Sequence, residues 1–302
     1  MATWTMRKAL FYLIGSTCVT LISSVTGYSL WLKSKRSRVS DPSYMISALI
    51  QTGPEKEALK TEYLAELLDL SVDYPTNLFA FNIKKGEKNL LSSPLIAEAH
   101  VKRFPPNGLY IDYEVRKPIA RLGDYRNTAI DKNGYIFPLA PFFSPKELPE
   151  IYLGIPAFGE GEDSMGRRGG VWQEPLQNPY LDLAFGVLRF LEGSSWKEGL
   201  RIKRIDVSNA FAPSLGSREI VLFTEEDLLF HRGEEVVCCV FPKMLRLSPK
   251  EFTQQMNNFL MLRKNMIEDY RNQLSSADLP HSGRFSSRIV DLRIPHLAFV
   301  QN

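Results

Sequence analysis

The feature that most constrains the fold is a run of strict two-residue alternation from Leu109 to Arg116. Apolar residues occupy every second position of this run, and polar or charged residues occupy the positions between them. This spacing predicts a strand with one buried and one exposed face. Pro118 would end the strand. A Pro-Pro-Asn-Gly turn at 105–108 predicts a hairpin with the alternating strand that precedes it.

Residues 44 to 125 fit one small unit with the element order β, α, α, β, β. A first strand is predicted from Tyr44 to Thr52, before a Gly-Pro turn. A second, shorter helix is predicted from Asn82 to Leu91, and the Ser-Ser-Pro sequence after it would end it. The first helix is predicted from apolar residues at helical spacing, namely Leu59, Tyr63, Leu64, Leu67 and Leu68.

The N-terminus contains a run of 24 uncharged residues, Ala9 to Leu32. At helical rise this run can cross a bilayer core of about 30 Å, so a transmembrane helix is predicted at 9–32. A cleaved signal peptide is the alternative, because a basic start precedes the run and Ser, Thr and Gly occur within it. The length of the run, the aromatic pair Tyr28 and Trp31 near its end, and the lack of an Ala-x-Ala site favour a membrane span.

Basic residues flank this helix unevenly. Four follow it, Lys33, Lys35, Arg36 and Arg38, and two precede it, Arg7 and Lys8. Taken alone, the positive-inside rule would place the C-terminal bulk of the chain in the cytoplasm.

Residues 126 to 302 are predicted to form a second, mostly β domain with helical insertions. An Asn-Gly pair at 133–134 predicts a hairpin. Strands are predicted at 201–207, 219–223, 227–233 and 288–300. A helix is predicted from Pro179 to Gly193, with the apolar stripe Leu181, Ala184, Phe185, Leu188 and Leu191.

A second helix of this region is predicted from a capping box formed by Ser248 and Glu251, and extends to about Gln273. Its methionine-rich face, with Met256 and Met266, could form a partner groove or pack in the core, and core packing is favoured. The segment from Phe158 to Gly170 is rich in glycine and charge, which predicts an exposed loop. It lacks the residues of a phosphate-binding loop, a dinucleotide fingerprint or a nucleophile elbow.

Five short motifs together resemble the FtsQ/DivIB family of bacterial cell-division proteins. They are Pro-Leu-Ile at 94–96, Val-x-Arg-x-x-Pro at 101–106, Ile-x-x-Glu-Val-Arg-Lys-Pro-Ile-Ala at 111–120, Ile-Asp-x-x-Gly-x-x-Phe at 130–137 and Val-Asp-Leu-Arg at 290–293. The resemblance implies an α+β chain in five parts. These are a short cytoplasmic tail at 1–8, a single transmembrane helix at 9–32, a basic juxtamembrane linker at 33–43, a POTRA-type domain at 44–125 and a mostly antiparallel β domain at 126–302.

The same resemblance implies a binding site at the C-terminus. In the family, the last strand forms an open edge onto which a segment of a partner adds as a further strand. Carried onto this sequence, the partner-binding residues are Ile289, Asp291, Arg293, Ile294, His296, Leu297, Ala298 and Asn302. The chain departs from the family pattern at Ile294, where an aromatic residue is usual, and at Pro295, which removes a backbone donor.

The function that the resemblance implies is that of a non-enzymatic, single-pass scaffold of the division machinery. The expected partners are small FtsB/DivIC-like and FtsL-like membrane proteins, with a septal synthase of the FtsW/FtsI type and FtsK contacted indirectly or through the POTRA domain. The expected location is the bacterial inner membrane at the division site, with the N-terminus cytoplasmic and the bulk periplasmic. This orientation is opposite to the one that the basic residues indicate.

Other classes of function find little support in the sequence. A net charge of +3 gives no case for nucleic-acid binding. The four histidines show no metal-ligand spacing and no neighbouring nucleophile motif, so no cofactor, metal or catalytic site is predicted. A POTRA-bearing assembly or secretion factor would need a following membrane barrel of long alternating strands. A membrane-anchored periplasmic hydrolase would need a pocket lined by convergent ionisable groups.

Overall fold

The computed structural model describes residues 2–155, 174–193, 199–232, 235–275 and 283–301. The chain divides into two compact units, 1–115 and 116–302. The predicted glycine-rich loop at 158–170 and the last residue, Asn302, lie outside the described residues.

The first unit begins with one long helix, α1 (Ala2–Ser40). Its part from Lys8 to Ser40 is long and apolar enough to cross a membrane. Hydroxyl groups inside the apolar run, such as those of Thr17, Thr20 and Ser24, donate to carbonyls three or four residues earlier at 2.7 to 3.0 Å. These bonds satisfy the hydroxyls within the helix itself, so they do not prevent it from lying in an apolar environment. The helix continues eight residues past the predicted end at Leu32.

The rest of the first unit is a βααββ domain, which confirms the predicted element order. Its elements are β1 (Ala48–Thr52), α2 (Thr61–Leu67), α3 (Ile83–Leu91), β2 (Ile96–Phe104) and β3 (Gly108–Val115). The strand order is β1-β3-β2, with β1 parallel and β2 antiparallel to β3. The first strand starts later than predicted, because Asp41 caps a short 3-10 turn at Pro42–Tyr44.

The alternation in β3 decides which face of this sheet is covered. Leu109, Ile111, Tyr113 and Val115 are buried against the helices, whereas Asp112 and Glu114 are exposed. The buried hydroxyl of Tyr113 accepts a hydrogen bond from the Leu59 amide at 2.8 Å, and burial raises the pKa of this tyrosine. The predicted half-buried strand is therefore confirmed.

In its described residues, the second unit is a ten-stranded mixed sheet with two α-helices. Along the sheet the order is β13-β12-β10-β9-β8-β7-β4-β5-β6, and β11 pairs with β10. Its helices are α4 (Pro179–Gly193) and α5 (Phe252–Ser275). Its strands are β4 (Ala120–Leu122), β5 (Thr128–Ile130), β6 (Ile136–Pro138), β7 (Glu150–Tyr152), β8 (Leu200–Asp206), β9 (Ile220–Arg232), β10 (Glu235–Leu247), β11 (Gly283–Arg284), β12 (Arg288–Asp291) and β13 (Phe299–Gln301).

The predicted fold class, α+β with a mainly β second domain, is confirmed. The sheet nevertheless contains parallel pairs as well as antiparallel ones, for example β7 with β8 and β10 with β12. Both helices contribute to its core. Four residues of the predicted α4 stripe are buried, whereas Phe185 is only partly buried. Met256 and Met266 of α5 are also in the core, as favoured from the sequence.

One long strand, β9, replaces the two short strands predicted at 219–223 and 227–233. The two predicted strands leave out Glu225 and Glu226, which lie between them. In the structure Glu226 is buried and bound by Lys243 of β10 and by Arg263 of α5, the latter at 2.7 Å. Glu225 lies within 3.5 Å of Arg201 on β8. Cations from other elements therefore allow the strand to continue through the acidic pair.

The start of α5 also differs from the prediction. Gln255, and not Glu251, accepts the backbone N–H of Ser248, at 2.7 Å. The capping partner lies one turn further along the helix, so the capping box predicted from Ser248 and Glu251 is not the arrangement found.

Candidate functional site

Strand β13 lies at one end of the large sheet. Its register with β12 pairs Ile289 with Gln301, Val290 with Val300 and Asp291 with Phe299. β12 in turn pairs with β10, and its Val290 is fully buried. Among the described residues no strand pairs with the outer side of β13. Such a strand edge can accept a strand from another chain.

The segment between β12 and β13 is a turn, so the single strand predicted at 288–300 is wrong. The Leu297 amide donates to the Ile294 carbonyl at 3.2 Å. His296 has a φ of +62°, in the left-handed region that residues other than glycine seldom adopt. This turn reverses the chain, and β13 therefore runs antiparallel to β12.

An ionic network holds the beginning of this turn. The Arg293 guanidinium donates to the Asp291 carboxylate at 2.7 Å and to the Gly216 carbonyl at 2.9 Å. Arg246 of β10 contacts Asp291 at 3.4 Å and Glu219 at 2.7 Å. Asp291 and Arg293, which were predicted as partner contacts, are therefore engaged within the chain, where they fix the turn that precedes β13.

The electrostatics of Asp291 fit this positioning role. Burial alone would raise the pKa of its carboxyl group, but hydrogen bonds from Arg293 and the positive charges of Arg293 and Arg246 outweigh burial. The pKa of Asp291 consequently lies below its ordinary value of 3.8. The Asp291 carboxylate is thus charged at neutral pH, as its pairing with Arg293 requires.

A groove of about 420 Å³ lies between α5 and the β12–β13 turn. Ile294, Leu297 and Ala298 line one side of it, and Met261 and Leu262 of α5 line the other. Ile294, Leu297 and Met261 are all half or more exposed, as are Phe299 and, nearly so, Val300 on β13. Exposed apolar side chains beside a free strand edge are typical of a surface that another chain covers.

The structure separates the predicted partner-binding residues into three groups. Ile289 and Asp291 lie in β12, and Arg293 lies at the start of the turn. Four more lie in the turn beside the groove, namely Ile294, His296, Leu297 and Ala298. Phe299, Val300 and Met261 are not among the predicted partner-binding residues, although Phe299 and Val300 stand at the end of the predicted strand and Met261 on the predicted methionine-rich helix.

A known family profile matches part of the first unit. The family profile "POTRA domain, FtsQ-type" matches residues 56–113, which comprise α2, α3, β2 and most of β3. The chain carries an FtsQ-type POTRA domain. A curated relative, the cell division protein FtsQ of Coxiella burnetii (strain RSA 493 / Nine Mile phase I), is 33% identical over 89 residues. The two findings confirm the resemblance to the FtsQ/DivIB family. The aligned segment covers 29% of this chain and 36% of that relative.

The POTRA domain has its own strand edges. β1 and β2 flank the central β3 in its three-stranded sheet. On β2, the outward residues His100 and Lys102 are exposed, and on β1 Ile50 is partly exposed. At the end of β2, Phe104 is also exposed.

The described part of the chain contains no group of three or more His, Cys, Asp or Glu residues that could hold a metal ion. His100 and His296 lie in different units, and the side chains of His231 and His281 are outside the described residues. In the groove beside β13, Glu251 and His296 are the ionisable residues of the lining. The groove is thus dominated by apolar and amide side chains.

Proposed function

We propose that this protein is a non-enzymatic, single-pass scaffold of the bacterial cell-division machinery, which binds a partner by strand addition at β13. The observation that carries the proposal is the outer edge of β13, which no described strand pairs, beside a groove lined by apolar and amide side chains, in a chain with an FtsQ-type POTRA domain. Backbone hydrogen bonds along the added strand would supply affinity. Pockets for alternate side chains of the partner would supply specificity.

The groove between α5 and the turn gives the added segment a second contact. A partner strand on β13 would place its neighbouring residues over Phe299, Ile294 and Leu297, which are exposed in the chain alone. Met261 on α5 extends the same apolar surface. Covering these side chains would remove apolar area from water, which stabilises the complex.

The proposed partners are small FtsB/DivIC-like and FtsL-like membrane proteins. Through them the scaffold would reach a septal synthase of the FtsW/FtsI type, and the POTRA edges offer a separate place for FtsK or another division protein. The length and composition of α1 support a single membrane span. We place the N-terminus in the cytoplasm and the two folded units outside the inner membrane at the division site, although the basic residues after the span favour the reverse.

The test is to remove only β13. A chain that ends at Ala298 lacks the edge strand but keeps Val290 and Leu292, which are buried in the core. Full-length and shortened proteins would be extracted in mild detergent, and the co-purifying proteins identified. Small bitopic division proteins should accompany the full-length chain and be lost from the shortened one.

A photo-crosslinking amino acid locates the contact. Placed at Val300 it should crosslink to the partner, whereas at Leu229, which is also apolar and is more exposed on β9, it should not. Equal crosslinking at both positions, or recovery of the same partners by the shortened chain, would show that β13 is not the binding edge.

A further inference from the structure

Residues of the POTRA domain contact the C-terminal end of α1 directly. The side-chain amide of Asn77, which is buried, donates to the carbonyls of Arg38 and Asp41 at 3.0 and 3.2 Å. The Arg38 guanidinium lies over the Phe79 ring at 5.5 Å, and Tyr44 packs edge-on against the same ring at 4.9 Å. These side-chain contacts join the C-terminal end of α1 to the POTRA domain. Asn77 and Phe79 therefore mark the side of the domain that is nearest to α1.

Topology brings two loops to this same end of the domain. The Ile46 amide donates to the Thr76 carbonyl at 3.0 Å, which places the end of the α2–α3 loop beside the start of β1. The amides of Ser47 and Ala48 donate to the Asn107 carbonyl, in the turn between β2 and β3. Both loops consequently lie next to the residues that directly follow α1.

Large exposed apolar side chains lie in the first of these loops and directly before the second. Val72 is 97% exposed and Tyr74 is 84% exposed in the α2–α3 loop, and Phe104 is 55% exposed at the end of β2. In the described part of the domain beyond α1, the other large apolar residues with substantial exposure are Ile50 and Leu91, and both are less exposed than these three. The most exposed apolar surface of the domain is therefore gathered at its α1 end.

Exposed basic side chains lie on the two elements nearest this surface, the end of α1 and strand β2. Lys33, Lys35 and Arg36 in the last turns of α1 are exposed, and so is Lys102 on β2. One acid, Asp73, lies between the two apolar loop residues. From Leu32 to Arg38 the helix rises about 9 Å, which is close to the thickness of roughly 5–7 Å that headgroups add on each side of a bilayer. The α1 end of the domain would therefore stand at the level of the lipid headgroups.

We propose that Val72, Tyr74 and Phe104 form a peripheral membrane-binding surface that rests on an anionic lipid bilayer. The proposal depends on the proposed function only in that α1 spans the membrane. Tyrosine and phenylalanine side chains at headgroup level, with lysine and arginine beside them, match the chemistry of that interface. The surface would hold the POTRA domain in a fixed orientation against the membrane.

The test uses the full chain in lipid nanodiscs with a small fluorescent amino acid at residue 72, and a nitroxide attached to the lipid headgroup as quencher. A label at residue 91 is the control, because Leu91 is exposed but lies at the far end of α3, next to the start of β2. In discs that contain phosphatidylglycerol, quenching at 72 should exceed quenching at 91 at least twofold. In discs of phosphatidylcholine alone the difference should shrink.

Two variants test whether quenching at residue 72 depends on the proposed membrane-binding surface. The double substitution Tyr74→Ser and Phe104→Ser should reduce quenching at 72, whereas Ile50→Ser should leave it unchanged. Equal quenching at 72 and 91, or no effect of the double substitution, would overturn the proposal. A label at Ser24, quenched by nitroxide on the acyl chain, reports whether α1 spans, and its failure would overturn the proposal too. None of these results depends on β13, so failure here is distinguishable from failure of partner binding.

Discussion

The two ends of the large sheet are both short strands, yet their side chains are placed in opposite ways. At one end, β6 buries Ile136 and Phe137 and finishes in Pro138, which has no backbone N–H to donate. At the other end, β13 exposes all three of its residues. Edge strands are normally protected by burial, proline or charge. The lack of such protection at β13 supports a binding role for that edge.

The largest expected effect is on the free energy of unfolding, which a substitution in β6 should lower far more than one in β13. Phe137 is fully buried against Phe143, with ring centroids 5.6 Å apart, whereas Phe299 is 59% exposed. Phe137→Ala should lower the free energy of unfolding by about 3–5 kcal/mol. Phe299→Ala should change it by less than about 0.5 kcal/mol. Urea unfolding of the full chain in detergent, followed by circular dichroism, measures both. Similar losses for the two variants would contradict the comparison.

The second expected effect concerns binding. Phe299→Ala should lower the affinity for the partner that co-purifies with the intact chain at least tenfold, or by about 1.4 kcal/mol. The reason is that apolar anchors at the centre of an interface carry much of its affinity. Leu229→Ala, at a similarly exposed position on β9, should leave binding unchanged. Quantitative pull-down at matched concentrations compares them. Equal loss in both variants would mean that the partner does not select the β13 edge.

A smaller effect on stability is expected from the ion pair between Asp291 and Arg293, which holds the turn before β13. Because the folded-state pKa of Asp291 lies below 3.8, its pairing with Arg293 stabilises the fold fully above that pH and is lost as the pH falls through the lowered value. Asp291→Asn should therefore cost about 1–2 kcal/mol at pH 7. The difference in free energy of unfolding between the variant and the wild type should become smaller below pH 3.8. Unfolding at pH 7, 5 and 3 tests this, and a gap that stays constant with pH would exclude the pairing as its source.

Local patterns predicted the POTRA domain well. The alternation in β3 and the Pro-Pro-Asn-Gly turn depend on neighbouring residues, so the strand, its buried face and the hairpin could be predicted from sequence. The Asn-Gly hairpin between β5 and β6 is of the same kind, with Gly134 at a φ of +87°. In the second unit, the strand boundaries that were predicted wrongly depend on contacts with residues far away in the sequence. β9 continues through Glu226, whose buried carboxylate is paired with Lys243 of β10 and Arg263 of α5.

The candidate site shows the same division. The motif Val-Asp-Leu-Arg pointed to the C-terminal region, but the sequence does not reveal that Arg293 reaches Gly216, 77 residues earlier, or that His296 takes a left-handed backbone conformation. The groove also needs α5 to pack beside the turn. It could not be predicted from the pattern of either element alone.

By itself, the sequence determined the apolar helix, the βααββ order and the family resemblance, because each follows from residue spacing within short segments. Only the tertiary structure decided which strand forms the free edge, where the chain turns before it and which apolar side chains stay exposed. Strand pairing and ionic networks join residues far apart in the chain, and their outcome depends on which of several competing partners packs best in three dimensions.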